Sequence, residues 1–187
     1  MSINLTKGQR IELGQTDVTI GLGWDPSTGT SDVADLDCSV FLLNDNKLLP
    51  SDDYFIFYNN LKSPCNSVIH SGDDTTGMNS AGGDDEQIKI NVSTLDKKIN
   101  ELLFVVSIHT PHNFGVVQNC YIRIVDNKTG AEIAKYQLDE SFSIEKSIEF
   151  GRLYKIDNVW KFNASGVGYD EDLSYFVEKY YSGNVIK

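Results

Sequence analysis

The stretch GDDTTGMNSAGGDDE at 72–86 packs five carboxylates into two tight clusters, Asp73-Asp74 and Asp84-Asp85-Glu86. Like charges this close repel unless a cation sits between them. The spacer at 75–83 carries three glycines among Thr, Ser, Asn, Ala and Met, so its backbone can fold back and turn carbonyls toward a shared point. Hard oxygen donors on a pliable loop suit Ca2+, which takes about six to eight oxygens at about 2.3–2.6 Å. Two further segments can join this loop. Asp25 ends the run Gly21-Leu22-Gly23-Trp24-Asp25, and Asp35-Leu36-Asp37 turns two carboxylates to one side of an extended chain. The apolar run at 54–58 ends in Asn59-Asn60, whose amide oxygens are neutral hard ligands. The candidate metal ligands are therefore Asp25, Asp35, Asp37, Asn59, Asn60, Asp73, Asp74, Asp84, Asp85 and Glu86.

Other chemistries fit less well. An EF-hand starting at Asp35 would need Gly at its sixth position and Glu at its twelfth, and has neither. His109 and His112 have H-x-x-H spacing but no carboxylate or thiol beside them, which disfavours zinc. Gly21-Leu22-Gly23 lacks the third glycine of a dinucleotide loop, and Gly82-Gly83 lacks the lysine of a phosphate loop. No G-x-S-x-G elbow occurs, and nothing marks a Ser or Cys nucleophile. Paired carboxylates can perform acid–base hydrolysis, but that leaves the glycine spacer and the Asn pair without a role. A non-enzymatic binding protein is the expectation.

The charge distribution agrees. Of the net charge of −11, residues 25–86 supply −10, from twelve Asp and Glu against two Lys. These acids gather in loops with Gly and Asn instead of spreading along faces, so a merely solvated acidic surface explains them less well than cation binding. A chain this acidic is not expected to bind nucleic acid, which requires clustered Lys and Arg. Cys38 and Cys120 lie in apolar runs and read as small buried hydrophobes, and with Cys65 they form no CxxC pair. The first residues lack the apolar region of a signal peptide, and no apolar run approaches 18 residues, so a cytoplasmic location is expected.

The elements that must position these groups are short β runs separated by turns. They fall at 9–13, 17–22, 36–43, 54–58, 87–92, 102–108, 119–125, 132–138, 146–150, 152–156 and 159–163. Residues 87–92 alternate apolar and polar, the mark of a strand with one wet face, whereas LLFVVSI at 102–108 is nearly continuous and should be central. Many short strands at this spacing indicate an all-β sandwich. Two helices are expected to interrupt it: one at 93–101 behind a Ser or Thr cap, and an amphipathic one at about 170–182. In the latter, Leu173, Phe176, Val177, Tyr180 and Tyr181 share a face. At 187 residues the chain is expected to be a single domain, with a core at about 1–169.

INLTKG, VTIGLGWD, DLDCSVFLLN, FIFYNNLKSP, the HSGDDTTG…GGDDEQIKI block, FVVSIH, NFGVVQNCYIRIVD, EIAKYQLDE, FGRLYK and WKFNASGVGY follow one another in the order seen in one family. Across nearly its whole length the chain resembles the TerD family of tellurium-resistance and stress proteins. The resemblance implies a C2-like β-sandwich that holds two Ca2+ ions at one end, with the ligands drawn from the residues named above. It also implies a bacterial cytoplasmic protein associated with resistance to tellurite and other stresses. The implied partners are calcium, other Ter-type proteins and the inner face of the membrane. The C-terminal helix stands out against relatives expected to end soon after the GVGY-like segment.

Overall fold

The computed structural model describes residues 2–25, 34–75, 83–109, 112–138, 142 and 144–181. Twelve strands form two sheets of six. The first sheet contains β1 (Ile3–Leu5), β10 (Glu132–Gln137), β9 (Gln118–Asp126), β3 (Asp17–Asp25), β7 (Glu86–Asn91) and β6 (Val68–His70), in that order. The second contains β2 (Arg10–Glu12), β12 (Val159–Tyr169), β11 (Ser147–Ile156), β8 (Glu101–Ile108), β4 (Leu36–Leu43) and β5 (Phe55–Ile56). Every pairing is antiparallel except that of β1 with β10. The expected β-sandwich is therefore the observed fold.

The sheets meet over one continuous apolar core, to which β4 and β8 contribute most of their side chains and β3, β7 and β11 their inward-facing ones. β4 and β8 are buried at every position because both of their faces are covered. One face meets the opposite sheet. The other lies beneath α1 (Leu173–Tyr180), where Phe41 of β4 stands 6.3 Å from the Phe176 ring and 5.8 Å from Tyr180. The helix starts where its sequence allows, with the Asp172 carboxylate accepting the Ser174 N–H at 2.9 Å.

The other expected helix, at 93–101, is absent. Asn91 accepts bonds from both the N–H and the hydroxyl of Ser93, and Asp96 accepts from the Lys98 N–H. These local side-chain bonds offer the backbone turns in place of a helix, and Glu101 enters β8 directly. The expected break between 146–150 and 152–156 is instead a bulge within the single strand β11, between Glu149 and Gly151. A Cβ at Gly151 would stand 2.5 Å from the Phe162 ring, so only glycine fits there. β11 turns into β12 through Asp157 and Asn158, both left-handed (φ 51° and 62°), which matches the strand twist across a two-residue hairpin. β1 and β6, like β2, have three residues, too few to reveal a period, and neither is expected from sequence.

This topology brings the end of β3, the start of β4, the end of β6 and the start of β7 to one end of the sandwich. Among the described residues no helix is long and apolar enough to cross a membrane.

Candidate metal centre

Glu86 organises this end. It opens β7 in the first sheet, is fully buried, and reaches across to the second sheet, where its Oε2 accepts the Cys38 N–H of β4 at 2.7 Å. Its Oε1 faces the Asp74 N–H at 3.4 Å. The His70 Nε2 lies 3.6 Å from Oε2 and 2.9 Å from the Cys38 carbonyl, while Nδ1 accepts the Gly72 N–H at 3.0 Å. Such bonding places the neutral ring's proton on Nε2. Burial works against charge on His70, but the Glu86 carboxylate outweighs it and raises the pKa.

Around Glu86 the carboxylates converge. Asp37, Asp73 and Glu86 each offer an oxygen, and these oxygens lie within 4.8 Å of one another. Asp37 and Glu86 are buried and Asp73 is exposed. Asp74 is buried beside them at 6% exposure. Asp35 stands two residues before Asp37, and its Oδ1 is buried without a hydrogen-bond partner. The electrostatic cost is visible in two groups. Burial, then Glu86, Asp35 and Asp73, push the Asp37 carboxyl up to about 7, with His70 pulling weakly the other way. Asp35 is raised by burial and by Asp73, Glu86 and Asp74, against the opposing influence of His109.

The other candidates have other partners. Asp84, whose side chain is 1% exposed, is gripped by the Arg123 guanidinium at 2.7 and 3.1 Å and bonded by Gln87 and Tyr121. It lies against Gly21, where a Cβ would come within 2.1 Å of it, while a Cβ at Gly23 would meet the Tyr121 ring at 2.5 Å. The Gly-Leu-Gly run thus makes room for these two side chains. Asp85 extends the β3–β7 pairing: its N–H donates to the Leu22 carbonyl and its carboxylate accepts the Trp24 N–H at 2.9 Å. Asp25 is exposed and accepts from the Asn119 amide. The Asn60 amide donates to the Phe55 carbonyl at 2.7 Å and closes the turn on which Asn59 is exposed. The structure therefore gathers Asp35, Asp37, Asp73, Asp74 and Glu86, and leaves Asp25, Asn59, Asn60, Asp84 and Asp85 outside that cluster. Most of the glycine spacer, 76–82, lies outside the described residues.

The gathered set fits a hard divalent cation. Its donors are carboxylate oxygens, one of them orphaned in the interior, and a shared positive charge would relieve the repulsion raising Asp35 and Asp37. Sequence reasoning missed His70 and Arg123. His70 is three residues before Asp73 in VIHSGD, but nothing local shows that its ring turns inward.

The TerD domain family model matches residues 1–180. The chain belongs to the TerD family. It is 42% identical over 191 residues to general stress protein 16U of Bacillus subtilis (strain 168), covering 96% of this chain and 97% of that protein. It is 40% identical over 189 residues to the tellurium resistance protein TerD of Alcaligenes sp, covering 96% and 97%. A crystal structure described as a homologue of telluride resistance protein (TerD) from Streptomyces coelicolor A3(2) superimposes with a TM-score of 0.70 at 19% identity, over 87% of this chain and 95% of that one. Because the TerD domain match runs to residue 180, α1 falls within the family's domain and is not an addition to it.

Proposed function

We propose that this TerD-family chain is a non-enzymatic calcium-binding module of the bacterial response to tellurite and other stresses. The observation that supports this most is the meeting of Asp37, Asp73 and Glu86 within 4.8 Å beside the orphaned Asp35 oxygen. Asp35, Asp37, Asp73 and Glu86 would hold the ion, with Asp74 at its flank. The ion would supply the positive charge these groups lack and would set the shape of the surface around 73–86. The names of the relatives, general stress protein and tellurium resistance protein, support a role in that response. On this reading the protein acts in the cytoplasm, at the inner face of the membrane and with other Ter-type proteins. A second ion would draw on Asp25, Asp84 and Asp85 after rearrangement of their present bonds.

One feature favours a second reading, in which calcium is a fixed staple of a scaffold. Glu86 is wholly buried and already ties the two sheets together, so part of the site belongs to the static core. Titration calorimetry and thermal melts with Ca2+, Mg2+ and chelator test the calcium site itself. Stabilisation of about 2.7 kcal/mol is expected at a hundredfold excess over Kd; no calcium-specific heat or melting shift would refute it. Pull-downs from cell extract separate the two readings. Partners lost in chelator mark a calcium-dependent module, and partners retained mark a stapled scaffold.

A further inference from the structure

A cavity of about 460 Å³ adjoins the metal centre and shares Asp37 with it. Its floor is the row in which Asp37 of β4 pairs with Ser107 of β8, both nearly buried. Its walls carry Lys146, His109 and His112, and the first turn of α1 around Ser174. Tyr58 closes one side, 6.2 Å edge-on from the His109 ring. The nearest carboxylate to Lys146 is Asp170, at 3.8 Å, and both side chains are more than half exposed, so this surface pair holds the ammonium only weakly. Asp172 also lines the cavity: its Oδ1 caps Ser174, and its charge is offset in part by Lys146. The walls are thus rich in donors and carry one lysine and two imidazoles, yet the floor is the carboxylate of a metal ligand. His109 and His112, whose spacing finds no use in the metal centre, both face this space.

We infer that this cavity takes the phosphate group of an anionic ligand, held between a cation at Asp37 and the donors of Lys146, His109 and His112. The inference rests on the calcium reading above. Without the ion, Asp37 and its neighbours repel an anion; with it, two positive charges offset part of that repulsion, and the ion offers open coordination positions to a phosphate oxygen. A phosphate monoester has terminal oxygens enough to meet the ion on one side and charge-assisted donors on the other. The cavity volume is that of a small-molecule site, and Ile108, Leu173 and Tyr58 offer surface to the organic part of the ligand.

The same headgroup is available free, as glycerol 3-phosphate, and on a surface, as phosphatidic acid. Calorimetry with glycerol 3-phosphate should show binding in Ca2+ and none in chelator. By linkage, the ester should tighten calcium binding by the same factor, about fivefold or more. Lys146→Ala should abolish that enhancement while calcium affinity without the ester stays unchanged, and Lys146→Arg should retain it. Sedimentation with phosphatidic acid vesicles in a phosphatidylcholine background, competed by glycerol 3-phosphate, would assign the lipid as the source; binding of the free ester alone would assign a soluble one. Normal calcium binding that glycerol 3-phosphate leaves unchanged would overturn the inference alone. No calcium binding at all would overturn it together with the reading beneath it.

Discussion

Two groups of buried carboxylates lie in this molecule, and they solve the same problem in opposite ways. Beneath α1, Glu149 and Glu101 are 8% and 5% exposed, and Arg152 lies between them. It grips Glu149 with two bonds of 2.7 Å, bonds Glu101, and donates to the Tyr180 hydroxyl at 3.0 Å, while Lys47 adds a second cation on Glu101. Burial works to raise the Glu149 pKa, but Arg152 outweighs it and the net shift is downward. At the acidic end, Asp37 is buried among Glu86, Asp35 and Asp73, with His70 in weak opposition, and its carboxyl rises to about 7. Burial penalises charge in both places. The difference lies in the partner: one cluster carries its counter-charge in the chain, and the other, on the calcium reading, takes it from a bound ion.

The comparison can be broken most severely at Arg152. Arg152→Met leaves Glu149 and Glu101 buried without their shared cation and should cost about 3–5 kcal/mol in denaturant unfolding. Calcium should restore none of it, because the lesion is remote from the metal centre. Asp37→Asn should do the reverse: the metal-free protein should melt at a higher temperature than wild type, while the calcium-dependent gain of about 2.7 kcal/mol at a hundredfold excess over Kd should largely vanish. Loss of stability in chelator would contradict the repulsion on which the site is argued.

The two regions should also respond oppositely to pH. In metal-free protein the folded pKa of Asp37, about 7, lies above its ordinary 3.8, so the folded state binds more protons between those values. Its contribution is fully present below about 4 and is lost as pH rises through 7. Glu149 is lowered from 4.5, so its contribution is present above that value and is lost as pH falls. Melts in chelator across this range should show a neutral-side decline that Asp37→Asn removes and an acid-side decline that Glu149→Gln removes. Further effects come from the residues that hold the loop. Arg123→Gln takes the fork from the buried Asp84 and leaves it the Gln87 and Tyr121 bonds, so about 3 kcal/mol of stability should be lost, with a weakening of calcium affinity read by calorimetry. Asp25→Asn should weaken calcium binding least among these changes, because its carboxylate stands outside the gathered set.

Much of this was legible in sequence where local rules govern. The alternating 87–92 run meets β7 at all but one residue at each end, LLFVVSI is the buried β8, and the acidic start of the last helix supplies its cap at Asp172. The turn at Asp157-Asn158 could be read from residues that tolerate a left-handed backbone. Where side-chain bonds compete with backbone ones, as at Asn91 and Asp96, the helical reading of 93–101 failed. The two sheets and the register that sets Asp37 beside Ser107 depend on pairings between distant strands.

The chain's own residue order determined that carboxylates and amide oxygens would crowd a few strand ends, that the fold would be all-β, and that nearly all of the net charge would fall in one third of the sequence. Side-chain type, periodicity and turn chemistry act over a few residues, so a linear reading captures them. Which carboxylates meet was decided only by the tertiary structure. Asp84 and Glu86 are two residues apart with the same charge, yet one is drawn to Arg123, 39 residues along, and the other to the Cys38 amide, 48 residues back. Their division between a salt bridge and a buried carboxylate cluster is set by which sheet each side chain reaches, and that is a property of two packed sheets.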